Sequence, residues 1–483
     1  VPLASHGAAL GDPARGESES CHQITTTYDP SDRAYFDEGD LREEMNRVFD
    51  LCHGCRLCFN LCPSFPTLFD YVDSHDGHAE AMTASEQDRV VDECYQCKLC
   101  YLKCPYVPPH EWELDFPRLM MRANAVRRTA HPSLAESLAD QALNRTDLVG
   151  RVSVALAPLV NAVVSKPGTF VRRLMESTVG IAAERALPTY SRRRFTRWFA
   201  RRNRPILRTV QRSVAVFPTC FIEYMEPGIG RDTVKVLERN GVACSVPEGA
   251  RCCGAPWLHS GDVRRFVAQA KRNVEALAPE VAGGKDVIVA QPTCAYVLRK
   301  DYPIYVGGED AEMVAAHTFE PSEYLMKMRS DEGSQLDTEF TGEVPERVVY
   351  HISCHHQALQ TGLRARDLLR LAGAEVTLVQ KCSGIDGTWG YRASHYVESK
   401  QVARPMLEAV RSAAAPNLQD AHQGAALLKV ANETGPGPVR PPVVMGDCHL
   451  ANTAIGEETG YVPMHPMQVL ARAYGIPEEV DQP

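Results

Sequence analysis

No run of about 18 apolar residues occurs in the 483-residue chain, so no membrane-spanning helix is expected. The nearest stretch, 152–164, is short and carries Pro158. The N-terminus lacks a basic region followed by an apolar core, so no secretory signal is expected. No G-x-G-x-x-G follows an apolar strand, which argues against a flavin or nicotinamide site of the chain's own. Excess positive charge is also missing: 52 Lys and Arg against 61 Asp and Glu leave −9, which does not describe a nucleic-acid binder. A hydrophobic content of 44% and a charged content of 23% read as an ordinary globular chain of roughly three domains.

What the chain has is cysteine, 17 in all. Eight fall in two identical runs, Cys52-His-Gly-Cys55-Arg-Leu-Cys58-Phe-Asn-Leu-Cys62-Pro63 and Cys94-Tyr-Gln-Cys97-Lys-Leu-Cys100-Tyr-Leu-Lys-Cys104-Pro105. In a chain this long, paired tight runs point to metal binding in a reducing, cytoplasmic compartment rather than to disulfides. Both runs read C-x2-C-x2-C-x3-C-P, the two-cluster [4Fe–4S] spacing in which the fourth cysteine of each run ligates the other cluster. The expected ligand sets are Cys52, Cys55, Cys58 and Cys104, and Cys94, Cys97, Cys100 and Cys62. Paired zinc sites rarely use this spacing twice.

Around these runs the chain divides into five segments. Residues 1–40, rich in Gly, Ser, Asp and Pro, read as a mobile leader. Residues 41–130 read as an α-helical two-cluster domain: Leu41, Met45, Val48 and Phe49 share one helical face, and Glu86–Glu93 are good helix formers leading into the second run. Residues 131–212 form a helical connector, basic in its second half. Residues 213–345 and 346–483 read as a duplicated α/β (βαβ) unit, which makes the chain an α+β multidomain protein. Each unit opens with a strand ending at a cysteine (Cys220, Cys354) and has a second strand (242–246, 375–379). A glycine-containing cysteine turn follows (Cys252-Cys253-Gly254, Cys382-Ser383-Gly384), and a third strand leads to Cys294 or Cys448. Residues 412–441 read as a surface loop.

Cys220, Cys252, Cys253 and Cys294 thus stand at strand ends, where α/β sheets gather ligands. Two adjacent cysteines suit an unusual cluster, with Gly254 allowing close backbone approach and an N–H to a sulfur; four buried structural thiols are the plainer reading. The second unit offers only Cys354, Cys382 and Cys448, with Ser383 where the paired cysteine would be. A further cluster, zinc and an inert remnant stay open there. His351, His355, His356 and His449 lie beside these thiols and read as solvated or hydrogen-bonded side chains. Cys244 reads as core and Cys21 as incidental.

This order of motifs resembles the C subunit of anaerobic glycerol-3-phosphate dehydrogenase and the B and D subunits of heterodisulfide reductase. The resemblance covers about residues 41–480 and rests on Cys252-Cys253-Gly254-Ala-Pro256-Trp-Leu-His-Ser-Gly261-Asp262, Pro292-Thr293-Cys294, Ser353-Cys354-His355, Cys382-Ser-Gly384-Ile-Asp386-Gly387-Thr388-Trp389-Gly390 and His465-Pro466. It implies a ferredoxin-type domain followed by two cysteine-rich CCG repeats in an iron–sulfur electron-transfer subunit. The implied partner is a flavoprotein dehydrogenase or a rubrerythrin-type peroxidase, with quinone or a disulfide as acceptor. The relatives with noncubane clusters carry five cysteines per repeat. Here Val297 takes the last C-x2-C position of the first repeat, and Ser383 and Ala451 replace two cysteines of the second. At most the first repeat is then expected to keep an unusual third cluster.

From Arg192 to Arg212 the connector has nine arginines and no acid, with Phe195, Trp198, Phe199, Ile206 and Leu207 interleaved. Docking on the inner face of an anionic membrane, with Trp198 and Phe199 at the interface, competes with a groove for an acidic partner and with a plain linker. The expected role is an electron relay. Two alternatives remain: a cluster-binding scaffold or redox sensor without turnover, and a self-sufficient disulfide reductase. The last would have Cys252 and Cys253 as catalytic residues and needs them accessible to substrate.

Overall fold

The computed structural model describes residues 28–130, 141, 143–203, 205, 209–385, 387–415 and 441–479. Cys21, Arg204, Ile206, Leu207, Arg208, Asp386, most of the expected loop at 412–441 and residues 1–27 of the expected leader lie outside the described residues; the rest of that leader, 28–40, is structured, with Tyr35 buried and a helix beginning at Glu38.

The first body is helical: α1 (Glu38–Cys55), α2 (Ser64–Ser74), α3 (Ala84–Asp92), α4 (Leu99–Lys103) and α5 (Phe116–Ala130). The period-3.6 face of α1 is the buried one, with Leu41, Met45, Val48 and Phe49 packed on Phe65, Leu68, Phe69, Leu119 and Met120. Thr83 and Glu86 close a capping box that starts α3. Both cysteine runs turn at the residue after their second cysteine. Arg56 and Lys98 occupy the same run position and both take left-handed backbone, at φ 52° and 64°.

Two parallel sheets follow. The first has the order β2-β1-β3-β4, from β1 (Arg212–Val216), β2 (Val242–Ser245), β3 (Asp286–Ile288) and β4 (Thr318–Phe319). The second has the order β6-β5-β7, from β5 (Arg347–His351), β6 (Glu375–Val379) and β7 (Val443–Gly446). In each, the first strand in sequence lies between the next two. Alternating side chains of the two sheets join one core, in which Val214, Val216 and Leu237 meet Val348, Tyr350, Met445 and Leu470. β4 is a two-residue strand too short to show a sequence period.

The connector packs closely against both sheets. Phe195 and Phe199 are buried in the shared core. The Trp198 indole donates to Glu479 at 2.7 Å, and Arg202 makes a two-pronged pair with Glu238 at 2.6 and 2.9 Å. This corrects the expectation that Trp198 and Phe199 face a membrane. Their apolar area goes instead to the helix Pro227–Arg239. Fully buried Arg172 donates to the carbonyls of Val164, Ala182 and Arg185, which fixes the connector's own shape.

Candidate iron–sulfur centres

The eight cysteines of the two runs converge as two crossed quartets. The Cys52 thiol is pushed up by burial and then by Cys58, Cys104 and Cys55. Burial, then Cys104 and Cys55, raise Cys58 to about 11. In the second quartet burial raises Cys100 most, followed by Cys97, Cys94 and Cys62. Burial and then Cys94 raise Cys62. Thiols that raise one another lie within reach of a single polynuclear centre, and a cationic iron core would reverse each of these shifts.

The proline after each fourth cysteine turns the chain so that backbone N–H groups point back at the sulfur. Ser64 and Phe65 donate to Cys62, and Tyr106 and Val107 donate to Cys104. Such donors stabilise a thiolate and tune a cluster. Soft thiolates in quartets with backbone N–H donors are the donor set an iron–sulfur cluster needs.

The third constellation also assembles. Cys220 opens a helix after β1, Cys252 and Cys253 precede the helix Ala255–His259, and Cys294 lies in the helix Pro292–Tyr296 after β3. Cys252 is the hydrogen-bond acceptor of this group. Cys220 donates to it most strongly, then Cys253 and Thr146, with the Gly254 N–H, and together they hold its pKa well below the thiol range. Gly254 reaches that position at φ 92°, where a Cβ would meet the Phe266 ring at 2.9 Å. Asn273 donates to the Cys252 carbonyl at 3.0 Å and Tyr302 to the Cys253 carbonyl at 2.9 Å, which locks the turn.

The connector supplies residues that sequence reasoning missed. Asp147 accepts from the Cys252 N–H at 3.2 Å and from the Tyr224 hydroxyl at 3.1 Å. Burial, and then Cys252, raise its carboxyl to about 6. Asp147 and Cys252, with Arg145, Arg151, Arg251 and Arg272, line a cavity of about 280 Å³. No local motif marks Asp147, because its partner is 105 residues away.

In the second unit Cys354, Cys382 and Cys448 line one small cavity with Ser383, Ala451 and Leu99 of α4. The turn copies the first: the Gly384 N–H donates to Cys382 Sγ at 3.3 Å. Gly384 takes φ 66°, and a Cβ there would lie 2.0 Å from the Ser399 carbonyl. Ser383 directs its hydroxyl to the Ile385 carbonyl at 3.2 Å. Of the two expected states, hydrogen-bonded rather than solvated holds for His351, His355 and His356, which are buried, while His449 is partly buried. His351 contacts the Lys381 carbonyl at 2.9 Å. His449 stacks on Phe221 at 4.1 Å, and burial lowers it to about 3. His355 lies parallel to His259 at 6.4 Å, and burial lowers it to about 3. Cys244 lies in β2 and packs, partly buried, on the shared core, as expected.

The second run packs against the second cysteine-rich unit. Tyr95, Cys97 and Trp389 form one buried cluster with Cys62, Cys354 and Cys382. A cavity of about 340 Å³ opens beside Cys94 and Tyr95, lined by Arg89, Arg127, Arg128 and Arg392. No single helix among the described residues is long and apolar enough to cross a membrane; the helices Thr146–Ala155 and Ala157–Val164 meet at 106°.

The cysteine-rich domain family model matches residues 214–299 and 348–419. The Fer4-like domain of citrate utilization protein B matches residues 45–131. The C subunit of anaerobic glycerol-3-phosphate dehydrogenase from Escherichia coli K12 is 30% identical over 359 residues, 74% of this chain and 81% of that protein. Lactate utilization protein A of Geobacillus thermodenitrificans is 30% identical over 191 residues, 37% of this chain and 74% of that protein. That of Shouchella clausii is 29% identical over 190 residues, with 37% and 75% covered. Quartets of converging thiols, the cysteine-rich domains and this length of shared sequence lead to one assignment: the chain is an iron–sulfur electron-transfer protein and belongs to the family of the anaerobic glycerol-3-phosphate dehydrogenase C subunit.

Proposed function

We propose that the chain is the electron-relay subunit of an oxidoreductase, taking electrons from a flavoprotein dehydrogenase partner and delivering them through its cysteine-rich half. Residues 41–130 hold two [4Fe–4S] clusters in the crossed sets Cys52, Cys55, Cys58, Cys104 and Cys94, Cys97, Cys100, Cys62. Residues 213–345 and 346–483 are two copies of one unit, a reading supported by their matching strand orders and glycine turns. Cys220, Cys252, Cys253 and Cys294 hold a third iron–sulfur centre, and Cys354, Cys382 and Cys448 a metal. Bound there, such clusters supply one-electron storage. The protein's part is to hold them dry, close together and hydrogen-bonded.

The single observation that carries this reading is the packing of the second run, through Tyr95 and Cys97, directly on Cys354 and Cys382. A scaffold would not need its cysteine groups stacked in this way. The test is anaerobic purification with iron, zinc and sulfide analysis and EPR of oxidised and reduced states. Twelve or more irons per chain, with signals that reduce reversibly and a flavoprotein that co-purifies, are expected. Roughly eight irons and no additional signal would end the relay at the ferredoxin-type half.

A second reading concerns docking. The connector helices expose Leu148, Val152, Leu156, Leu159, Phe170 and Leu174, with Phe170 81% exposed, and the connector also exposes Arg192, Arg193, Arg197 and Arg201. Exposed apolar side chains and exposed arginines in one connector support contact with an anionic membrane surface, through these residues rather than Trp198 and Phe199. Flotation with anionic but not neutral vesicles, lost in Phe170→Asp/Leu174→Asp, is the expected result; no flotation would leave this face to a protein partner.

A further inference from the structure

We propose that Glu320, His356 and Asp447 form a binding site for one divalent first-row cation, separate from the cysteine groups, that ties the two sheets together. Glu320 follows β4 of the first sheet, His356 lies in the helix Cys354–Leu359 after β5, and Asp447 follows β7. Each is 5% exposed, and their ligand atoms lie within 4.8 Å of one another.

The geometry at His356 separates a cation site from an ordinary ion pair. Its Nε2 faces the Gly362 carbonyl at 3.1 Å, so that nitrogen carries a proton. Its Nδ1 then points at Glu320 Oε2 and Asp447 Oδ2, 3.1 Å from each. A ring N–H donated to a carbonyl with the other nitrogen aimed at carboxylates is the arrangement in which histidine ligates metals. A second proton on Nδ1 is the alternative: against the cost of burial, Glu320 and Asp447 favour it and push the imidazole well above its usual value, yet an N–H placed on that nitrogen meets neither oxygen in hydrogen-bond geometry. Nδ1 has no partner of hydrogen-bond direction, and Asp447 Oδ1 is likewise buried without one.

Charge decides the same way. Among the described residues no lysine or arginine pairs with Glu320 or Asp447; their ion-pair contacts are to His356 alone. An imidazolium between two carboxylates leaves a net −1 buried. A neutral imidazole with two carboxylates and a divalent cation sums to zero, and buried charge needs such balance. With metal–ligand bonds of about 2.1 Å, donors this far apart subtend close to a right angle at the ion, within the range of zinc and manganese sites. The hydroxyls of Tyr350 and Thr361 donate to Asp447 Oδ2 and Glu320 Oε2 at 2.9 and 3.3 Å, which orients both carboxylates. His356 is two residues from Cys354 and Asp447 is next to Cys448, so the cation would also fix the helix and strand end that carry those thiols.

The test uses the anaerobically purified full chain, treated with chelator until iron and sulfide alone remain, and titrated with Mn2+ while the six-line EPR signal of the free ion is followed. One equivalent of Mn2+ should disappear from the free signal and return on addition of Zn2+. His356→Gln should weaken this capture at least tenfold with iron and sulfide unchanged, while Cys354→Ala should keep it. No captured Mn2+ in the unsubstituted chain would overturn the proposal without reference to any variant. Capture retained in His356→Gln but lost in Cys354→Ala would also overturn it, by placing the ion among the thiols.

Discussion

The Cys382 thiol donates to the Tyr95 hydroxyl at 3.4 Å, and that hydroxyl donates to the Leu61 carbonyl at 3.0 Å. One phenol thus touches the two chain segments that bear Cys62 and Cys382, 287 residues from its thiol partner. If Cys382 ligates a metal it loses its proton, and the Tyr95 O–H becomes the donor. A hydrogen bond to a charged sulfur is worth about 1.5–3 kcal/mol. Tyr95→Phe should therefore weaken metal retention at Cys354, Cys382 and Cys448 by roughly tenfold or more, leaving the iron of the ferredoxin-type half in place. Metal per chain after chelator competition measures it.

The crossed quartets make a prediction that a simple reading of two consecutive runs would reverse. Cys62 lies in the first run but beside Cys94, and Cys104 lies in the second run but with Cys52, Cys55 and Cys58. The Tyr106 hydroxyl bonds Cys55 and so marks the Cys52 quartet. Removing one donor to a ligand sulfur, worth about 1 kcal/mol, should lower that cluster's midpoint by about 40 mV for one electron. In redox-poised EPR, Tyr106→Phe should displace the signal that Cys104→Ala removes, not the one that Cys62→Ala removes. The opposite pairing would mean that each run holds its own cluster.

Local spacing made the thiol groups legible, because the first three cysteines of each run lie within seven residues and the strand-end cysteines follow β-type apolar runs. The face of α1 was legible for the same reason: Leu41, Met45, Val48 and Phe49 recur at helical spacing. Asp147, Glu320 and Asp447 left no such trace. Each gains its meaning from a partner far along the chain, and a single buried carboxylate has no period. Of the three readings of the connector, the one that put Trp198 and Phe199 at a membrane fails because an aromatic looks the same in sequence whether it meets lipid or the helix Pro227–Arg239.

Arg185 shows what such a long pairing is worth. It is 2% exposed and donates to Glu457 at 2.9 Å, to Ser399 Oγ at 2.6 Å and to the Gly390 carbonyl at 3.0 Å, with its guanidinium over the Tyr396 ring. Arg185→Ala strands Glu457 in a site built for a cation, a loss of about 3–5 kcal/mol. Arg185→Lys should recover little, because an ammonium cannot span the three acceptors. In both variants the thermal midpoint should fall and the connector should become more sensitive to protease.

Asp232 gives stability a pH dependence of a known sign. It lies on the helix Pro227–Arg239, and burial raises its carboxyl from the ordinary 3.8 to about 6, with Lys235 opposing and Glu478 assisting. An acid whose folded pKa is raised binds its proton more tightly when folded. Folding is therefore favoured by this group below the unfolded pKa, and that advantage is lost as pH rises through about 6. Asp232→Asn removes the cost of burying the ionised carboxylate. The variant should be more stable than the unsubstituted chain by roughly 1–3 kcal/mol above pH 7, and the difference should vanish below about pH 4. Denaturation midpoints of the two chains from pH 4 to 8 measure it. A difference that grows toward low pH would mean that Asp232 is held ionised by Lys235 and Arg231 instead.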